Sequence, residues 1–77
     1  DRIVVEFFNS TGSNTTIQIF NDLGEIVYAS TSAMQQGVNR IEWGGTDQNG
    51  KKLPAGNYFL KLISDDAISS RKLVIVR

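Results

Sequence analysis

The sequence contains no histidine and no cysteine. These residue types supply the bases of Ser-His and Cys-His catalysis and the usual zinc ligands, so their absence excludes such sites. It also excludes a disulfide that could supplement the core. Carboxylate pairs remain, but glycoside hydrolysis needs a cleft that holds the sugar, which a small β-sandwich rarely provides. We therefore expect no enzymatic activity, no metal site and no cofactor.

Net charge and long apolar runs are lacking too. Eight Lys and Arg residues balance eight Asp and Glu residues, so no basic excess points to a nucleic-acid partner. The longest apolar run near the C-terminus, residues 73–76, is far shorter than the ~20 residues of a membrane-spanning helix. A length of 77 residues predicts one small domain, residues 1–77.

Short runs of β-branched and aromatic residues alternate with turn residues along the whole chain, and no window shows the spacing of a surface helix. The predicted strands cover residues 3–8, 15–21, 25–30, 38–43 and 57–64, with a last run from residue 68 through residues 72–77. This pattern predicts an all-β fold, an immunoglobulin-like antiparallel β-sandwich of six to seven short strands. Period-2 alternation places Ile41 and Trp43 inward. It also places Tyr58, Leu60 and Leu62 on one common face of their strand.

Turn residues cluster in the stretch DQNGKKLPAG, residues 47–56. Asn49-Gly50 predicts a type I′ hairpin turn with positive φ at both residues. The sole proline, Pro54, cannot donate a backbone hydrogen bond and is expected outside a central strand. A weak calcium site at Asp47 and Asn49 is the alternative interpretation, but most of the EF-hand ligand pattern is missing.

Two phenylalanines, Phe20 and Phe59, are expected on exposed strand faces. They are interpreted either as partly buried edges of a small domain or as part of a docking surface.

Residues 39–62 resemble the Trp-Asp-Gly-x-Asp-x-x-Gly-x-x-x-Pro-x-Gly-x-Tyr signature of immunoglobulin-like domains of the flagellar hook-capping type. The matching positions are Trp43, Gly45, Asp47, Gly50, Pro54, Gly56 and Tyr58. Gly44 stands where that signature has its first aspartate.

The whole chain resembles more closely the type A C-terminal sorting domain of the type IX secretion system of Bacteroidetes. Three segments carry the resemblance: TTIQIFNDLGEIVY (residues 15–28), LPAGNYFLKL (53–62) and RKLVIVR (71–77). The Asn-Pro motif that family members usually have near the start of the domain is missing.

This second resemblance implies a non-catalytic C-terminal secretion signal, part of a larger secreted protein. It would pass through the periplasm to the cell surface or the medium. The implied partners are the type IX translocon, a sortase-like protease and a passenger domain in the same chain. The implied recognition residues are Gly56, Tyr58, Lys61, Lys72, Leu73, Val74, Ile75, Val76 and Arg77.

Two alternatives stay open. The first is a structural or interaction module of the flagellar hook-capping type. The second is a carbohydrate-binding accessory module, which needs exposed coplanar aromatic rings and is less favoured because Trp43 is expected in the core.

Overall fold

Six β-strands form the fold in the computed structural model, which describes residues 3–65 and 67–76. The strands are β1 (Ile3–Asn9), β2 (Thr15–Phe20), β3 (Ile26–Ser32), β4 (Gly37–Trp43), β5 (Gly56–Ser64) and β6 (Ala67–Ile75). No helix occurs in these two ranges, and the all-β prediction of six to seven strands is confirmed. The last strand is longer than predicted, because every residue from Ala67 to Ile75 pairs with β5.

Two antiparallel sheets of unequal width make up the sandwich. The narrow sheet contains β1 and β4, and the wide sheet has the order β3-β2-β5-β6. The predicted hairpin of the second and third runs is present as the β2–β3 pair. The segment after β3 crosses from the wide sheet to the narrow one, as the sequence predicted.

The core lies between the sheets and is built from alternate residues of the strands. In β2 the buried positions are Thr15, Ile17 and Ile19, while the residues between them are half-buried. The full set of buried apolar side chains is Val5, Ile17, Ile19, Trp43, Leu53, Tyr58, Leu60, Leu62 and Ile75. The predicted inward position of Trp43 is confirmed, and Ile41 is partly buried against this core. The face that Tyr58, Leu60 and Leu62 were predicted to share is the buried face of β5.

The loop that contains Asn49-Gly50 is not a type I′ turn. Gly50 has a φ of 83°, but no residue other than glycine has positive φ among the described residues. The Asp47 carboxylate instead accepts hydrogen bonds from the amides of Asn49 and Lys51, both at 2.9 Å. The Gly50 amide donates to the Asp47 carbonyl at 3.0 Å. The Asp47 side chain thus forms an Asx turn, and only glycine has to adopt positive φ.

The loop between β2 and β3 repeats this geometry. Asn21 Oδ1 accepts hydrogen bonds from the amides of Leu23 and Glu25, at 3.0 and 2.9 Å. Gly24 has the predicted positive φ, at 84°. The spacing Asx-x-x-Gly therefore specifies both turns, since the Asx side chain satisfies two amides and the glycine reverses the chain.

Candidate interaction surface

The Pro-x-Gly-x-Tyr segment fixes the entry of the chain into β5. The Tyr58 hydroxyl donates a hydrogen bond to the Pro54 carbonyl at 2.7 Å, and the tyrosine side chain is 5% exposed. A tyrosine that bonds back to the backbone a few residues upstream is the tyrosine corner of immunoglobulin-like sandwiches. Pro54 lies outside the strands, as predicted. The segment therefore has a structural role that its sequence alone did not distinguish from recognition.

The predicted recognition residues do not share one surface. Those on the core side of the β5–β6 pair are Tyr58, Leu73 and Ile75. Those on the outer side are Lys61, Lys72 and Val74. Gly56 pairs with Ile75 at the start of β5, Val76 follows β6 and is exposed, and Arg77 lies outside the described residues.

An apolar row crosses the outer face of the wide sheet. Phe20 of β2 lies opposite Ile26 of β3 on one side and Phe59 of β5 on the other. Phe59 in turn lies opposite Lys72 of β6. The Lys61 ammonium lies 5.6 Å from the centre of the Phe20 ring, within the range of a cation–π contact.

We call the side chains of this surface the outer patch. It consists of Phe20, Ile26, Phe59, Lys61, Lys72 and Val74. The sequence pointed to the two phenylalanines, and Phe59 is 44% exposed. The sequence pattern did not point to Ile26, because a register shift at the end of β2 places that residue opposite Phe20. A bulge of this kind leaves no clear signal in the residue pattern.

Charge is distributed unequally between the two sheets. The four strands of the wide sheet contain Lys61, Arg71 and Lys72 and no acidic residue. Both strand glutamates, Glu6 and Glu42, belong to the narrow sheet. The outer patch therefore combines exposed apolar area with positive charge, which suits a partner surface that is apolar and acidic.

The structure gives the Asp47 carboxylate a role within its own loop, because Oδ1 accepts two backbone hydrogen bonds. Among the described residues, no group of three His, Cys, Asp or Glu side chains is arranged to hold a metal ion. The same ranges contain no helix long and apolar enough to cross a membrane.

The family model of the FlgD Ig-like domain matches residues 2–67. Two crystal structures of truncated FlgD from Helicobacter pylori, one of them from strain 26695, share the fold. The strain 26695 structure has 25% sequence identity and a TM-score of 0.66, and the other has 24% and 0.67. Each comparison covers 96% of this chain but only 59% of the solved chain. No curated protein matches the sequence.

These findings correct the main functional interpretation of the sequence. The family match and the FlgD structures contradict a type IX secretion signal and, with it, the translocon and the sortase-like protease as partners. The two families share the Pro-x-Gly-x-Tyr segment, which here forms the tyrosine corner of the fold and so does not discriminate between them. The recognition role of the nine predicted residues remains an untested prediction, and the type IX resemblance that suggested it no longer supports it.

The immunoglobulin-like architecture predicted from strand spacing is confirmed by the similarity to the FlgD structures. The resemblance of residues 39–62 to the flagellar hook-capping signature falls within the matched range. Because the family model covers most of the sequence, the chain belongs to the FlgD Ig-like domain family, a family of structural domains.

Proposed function

We propose that the chain is a non-catalytic structural module of a flagellar hook-capping protein, which takes part in hook assembly by binding a flagellar hook component. The observation that carries this proposal is the family match over residues 2–67. The absence of histidine and cysteine from the sequence agrees with a role without catalysis.

The architecture supports such a role because it presents side chains on a rigid surface. Leu60, with 1% exposure, and the fully buried Ile19 lie opposite each other in β5 and β2. Their neighbours Phe59 and Phe20 point the other way and form the centre of the outer patch. Side chains held by packed strands lose little conformational freedom on binding, which favours affinity.

We propose the outer patch as the contact surface for the hook component. Aromatic residues on a rigid sheet are typical binding hot spots, and the two lysines add charge selectivity. The opposite face of the sandwich provides a matched control, since Phe8 and Val38 lie opposite each other there and are 69% and 64% exposed.

Co-sedimentation of the purified chain with isolated flagellar hooks tests the function. The wild-type chain is expected to bind, and the double variant Phe59→Ser/Lys72→Glu is expected to bind at least about tenfold more weakly. The control variant Phe8→Ser/Val38→Ser is expected to bind like the wild type. Lack of binding by the wild-type chain would contradict the proposed function. Equal binding by all three proteins would contradict only the choice of surface.

Two further expectations from the sequence remain proposals. The first is that residues 1–77 fold as one domain, which requires that fluorescence and circular dichroism report the same urea unfolding transition. The second is export of the protein through the periplasm to the cell surface or the medium. Cell fractionation with an antibody against the chain checks this localisation.

A further inference from the structure

The outer edge of β3 is covered by a loop of the same chain. Among the described residues, the wide sheet ends at β3 on one side and at β6 on the other. The Gln48 amide donates a hydrogen bond to the Val27 carbonyl at 3.2 Å, and the Ala29 amide donates to Gln48 Oε1 at 2.9 Å. Gln48 thus supplies the donor and the acceptor that a neighbouring strand would provide. We call Gln48 with these two hydrogen bonds the strap.

The strap covers an edge that is otherwise regular. The pairing of β3 with β2 shifts register only at the start of β3, and residues 28–32 pair in an unbroken ladder. Alternate residues of such a strand direct their amides and carbonyls to the same side, so Thr31 faces the open edge as Ala29 does. In the described part of the chain, the backbone of Thr31 has no partner on that side. Without the strap, β3 therefore presents a row of backbone groups that another strand can pair with.

The side chains of β3 include none of the residues that usually protect an edge strand. Lysine and other charged residues, and proline, commonly keep exposed edges from pairing with other chains. The sequence of β3, IVYASTS, contains no charged residue and no proline. The opposite edge strand, β6, carries Arg71 and Lys72. Side-chain charge thus protects β6, whereas the protection of β3 comes from the strap.

The loop that carries the strap is anchored at its base independently of Gln48. The Trp43 indole nitrogen donates to the Thr46 carbonyl at 3.0 Å, and the Leu53 amide donates to the Gly45 carbonyl at 2.9 Å. Among the described residues, only the two hydrogen bonds of Gln48 join the loop tip, residues 47–51, to β3. The tip can therefore separate from β3 while the base of the loop stays in place.

We propose that the strap closes a self-association site, and that the edge beneath it pairs with β3 of a second copy of the chain when the strap is released. This inference is independent of the proposed function and of the outer patch. Antiparallel pairing of two β3 strands about a two-fold axis gives an isologous contact that joins the wide sheets of both copies. Because β3 is uncharged, no like charges oppose this contact, whereas two β6 edges would bring Arg71 and Lys72 of both copies together.

One substitution releases the strap without changing the turn. The Gly50 amide donates to the Asp47 carbonyl, and neither Gln48 nor Asn49 has positive φ, so residues 47–50 form a type I turn. Proline is favoured at the second position of this turn, which is the position of Gln48. Gln48→Pro therefore removes the amide donor and the side-chain acceptor together. Gln48→Glu keeps both a donor and an acceptor and is the matched control.

Amide hydrogen exchange resolved by NMR, on the dilute purified chain, tests the strap. The Ala29 amide is expected to exchange at least about tenfold faster in Gln48→Pro than in the wild type, and at the wild-type rate in Gln48→Glu. Gln48→Ala, which removes only the side-chain acceptor, gives the same readout should the proline variant not fold. Unchanged exchange of Ala29 after loss of the acceptor would overturn the role of the strap.

Sedimentation equilibrium tests the pairing site. At concentrations up to about 0.2 mM, Gln48→Pro is expected to dimerise, while the wild type and Gln48→Glu stay monomeric. Exchange at Ala29 and Thr31 is expected to slow again as the concentration of Gln48→Pro rises. Adding Ala29→Lys, which puts a charge on the edge, is expected to restore the monomer.

Two results would overturn the pairing site. One is a Gln48→Pro variant that shows fast Ala29 exchange and stays monomeric at every concentration. The other is a dimer that persists with Ala29→Lys and leaves exchange at Ala29 and Thr31 unchanged, because its contact would lie elsewhere on the surface.

Discussion

The hydrogen bond of the tyrosine corner offers a sharp test of how the chain is held at the start of β5. Tyr58→Phe removes only the hydroxyl, which donates to the Pro54 carbonyl at 2.7 Å, and leaves the buried ring in place. A hydrogen bond between neutral groups contributes about 1 kcal/mol to stability. The variant is therefore expected to lose about 1 kcal/mol of unfolding free energy, which lowers the melting temperature by about 4–8 °C in a domain of this size.

Urea unfolding followed by the fluorescence of Trp43 measures this loss. Trp43 is the only tryptophan, is 4% exposed, and donates a hydrogen bond from its indole nitrogen to the Thr46 carbonyl at 3.0 Å. The matched control is Tyr28→Phe, because the described residues show no hydrogen bond to the half-buried Tyr28 hydroxyl, and we expect a change below about 0.5 kcal/mol. Equal losses in the two variants would refute a stabilising role for the Tyr58 hydrogen bond.

Three further predictions concern a turn, the core and the surface. Asp47→Ala removes the acceptor of two backbone hydrogen bonds and is expected to cost about 1–2 kcal/mol in urea unfolding, whereas Asp47→Asn should retain most of the stability. Leu60→Ala leaves a cavity at a 1% exposed site and is expected to cost about 2–5 kcal/mol, which calorimetry would show as a large fall in melting temperature. Arg40→Ala breaks a 3.6 Å ion pair with Glu6 in which both side chains are mostly exposed, so its unfolding free energy should change by less than about 1 kcal/mol. A loss as large as that of Leu60→Ala at this surface site would contradict the burial argument.

The strands could be predicted because alternation of apolar and polar residues directly reports which face is buried. Ile17 and Ile19 illustrate this, since both are buried and the residues between and around them are not. The full length of β6 could not be predicted in this way. Ser69 and Ser70 have little strand propensity, and they are extended because β5 pairs with them.

The prediction of a type I′ turn at residues 47–51 was wrong for a local reason. Asn49-Gly50 is a strong type I′ signal, but the Asp47 carboxylate is two residues away and captures the amides of Asn49 and Lys51. The turn type depends on whether a side chain or the backbone accepts the hydrogen bonds of these amides. The dipeptide Asn49-Gly50 alone carries no information about this competition. The Asn21 loop, with the same Asx-x-x-Gly spacing, offered the signal that would have corrected the prediction.

The site was predicted less well than the fold. A linear segment such as LPAGNYFLKL, residues 53–62, mixes residues that face the core with residues that face solvent, so a match to the whole segment does not show which face makes contacts. Tyr58 and Lys61 show this, since one lies in the core and the other beside the Phe20 ring. The outer patch comes from four strands, so its composition depends on pairings between residues distant in sequence.

Removal of this segment from its gene tests directly whether the chain is a structural module that serves hook assembly. Electron microscopy would measure the hooks of cells whose gene lacks the codons for residues 1–77, with the intact gene supplied in trans as the control. We expect few or no complete hooks in the deletion strain and restored hooks in the control. Hooks of normal number and length in the deletion strain would contradict it.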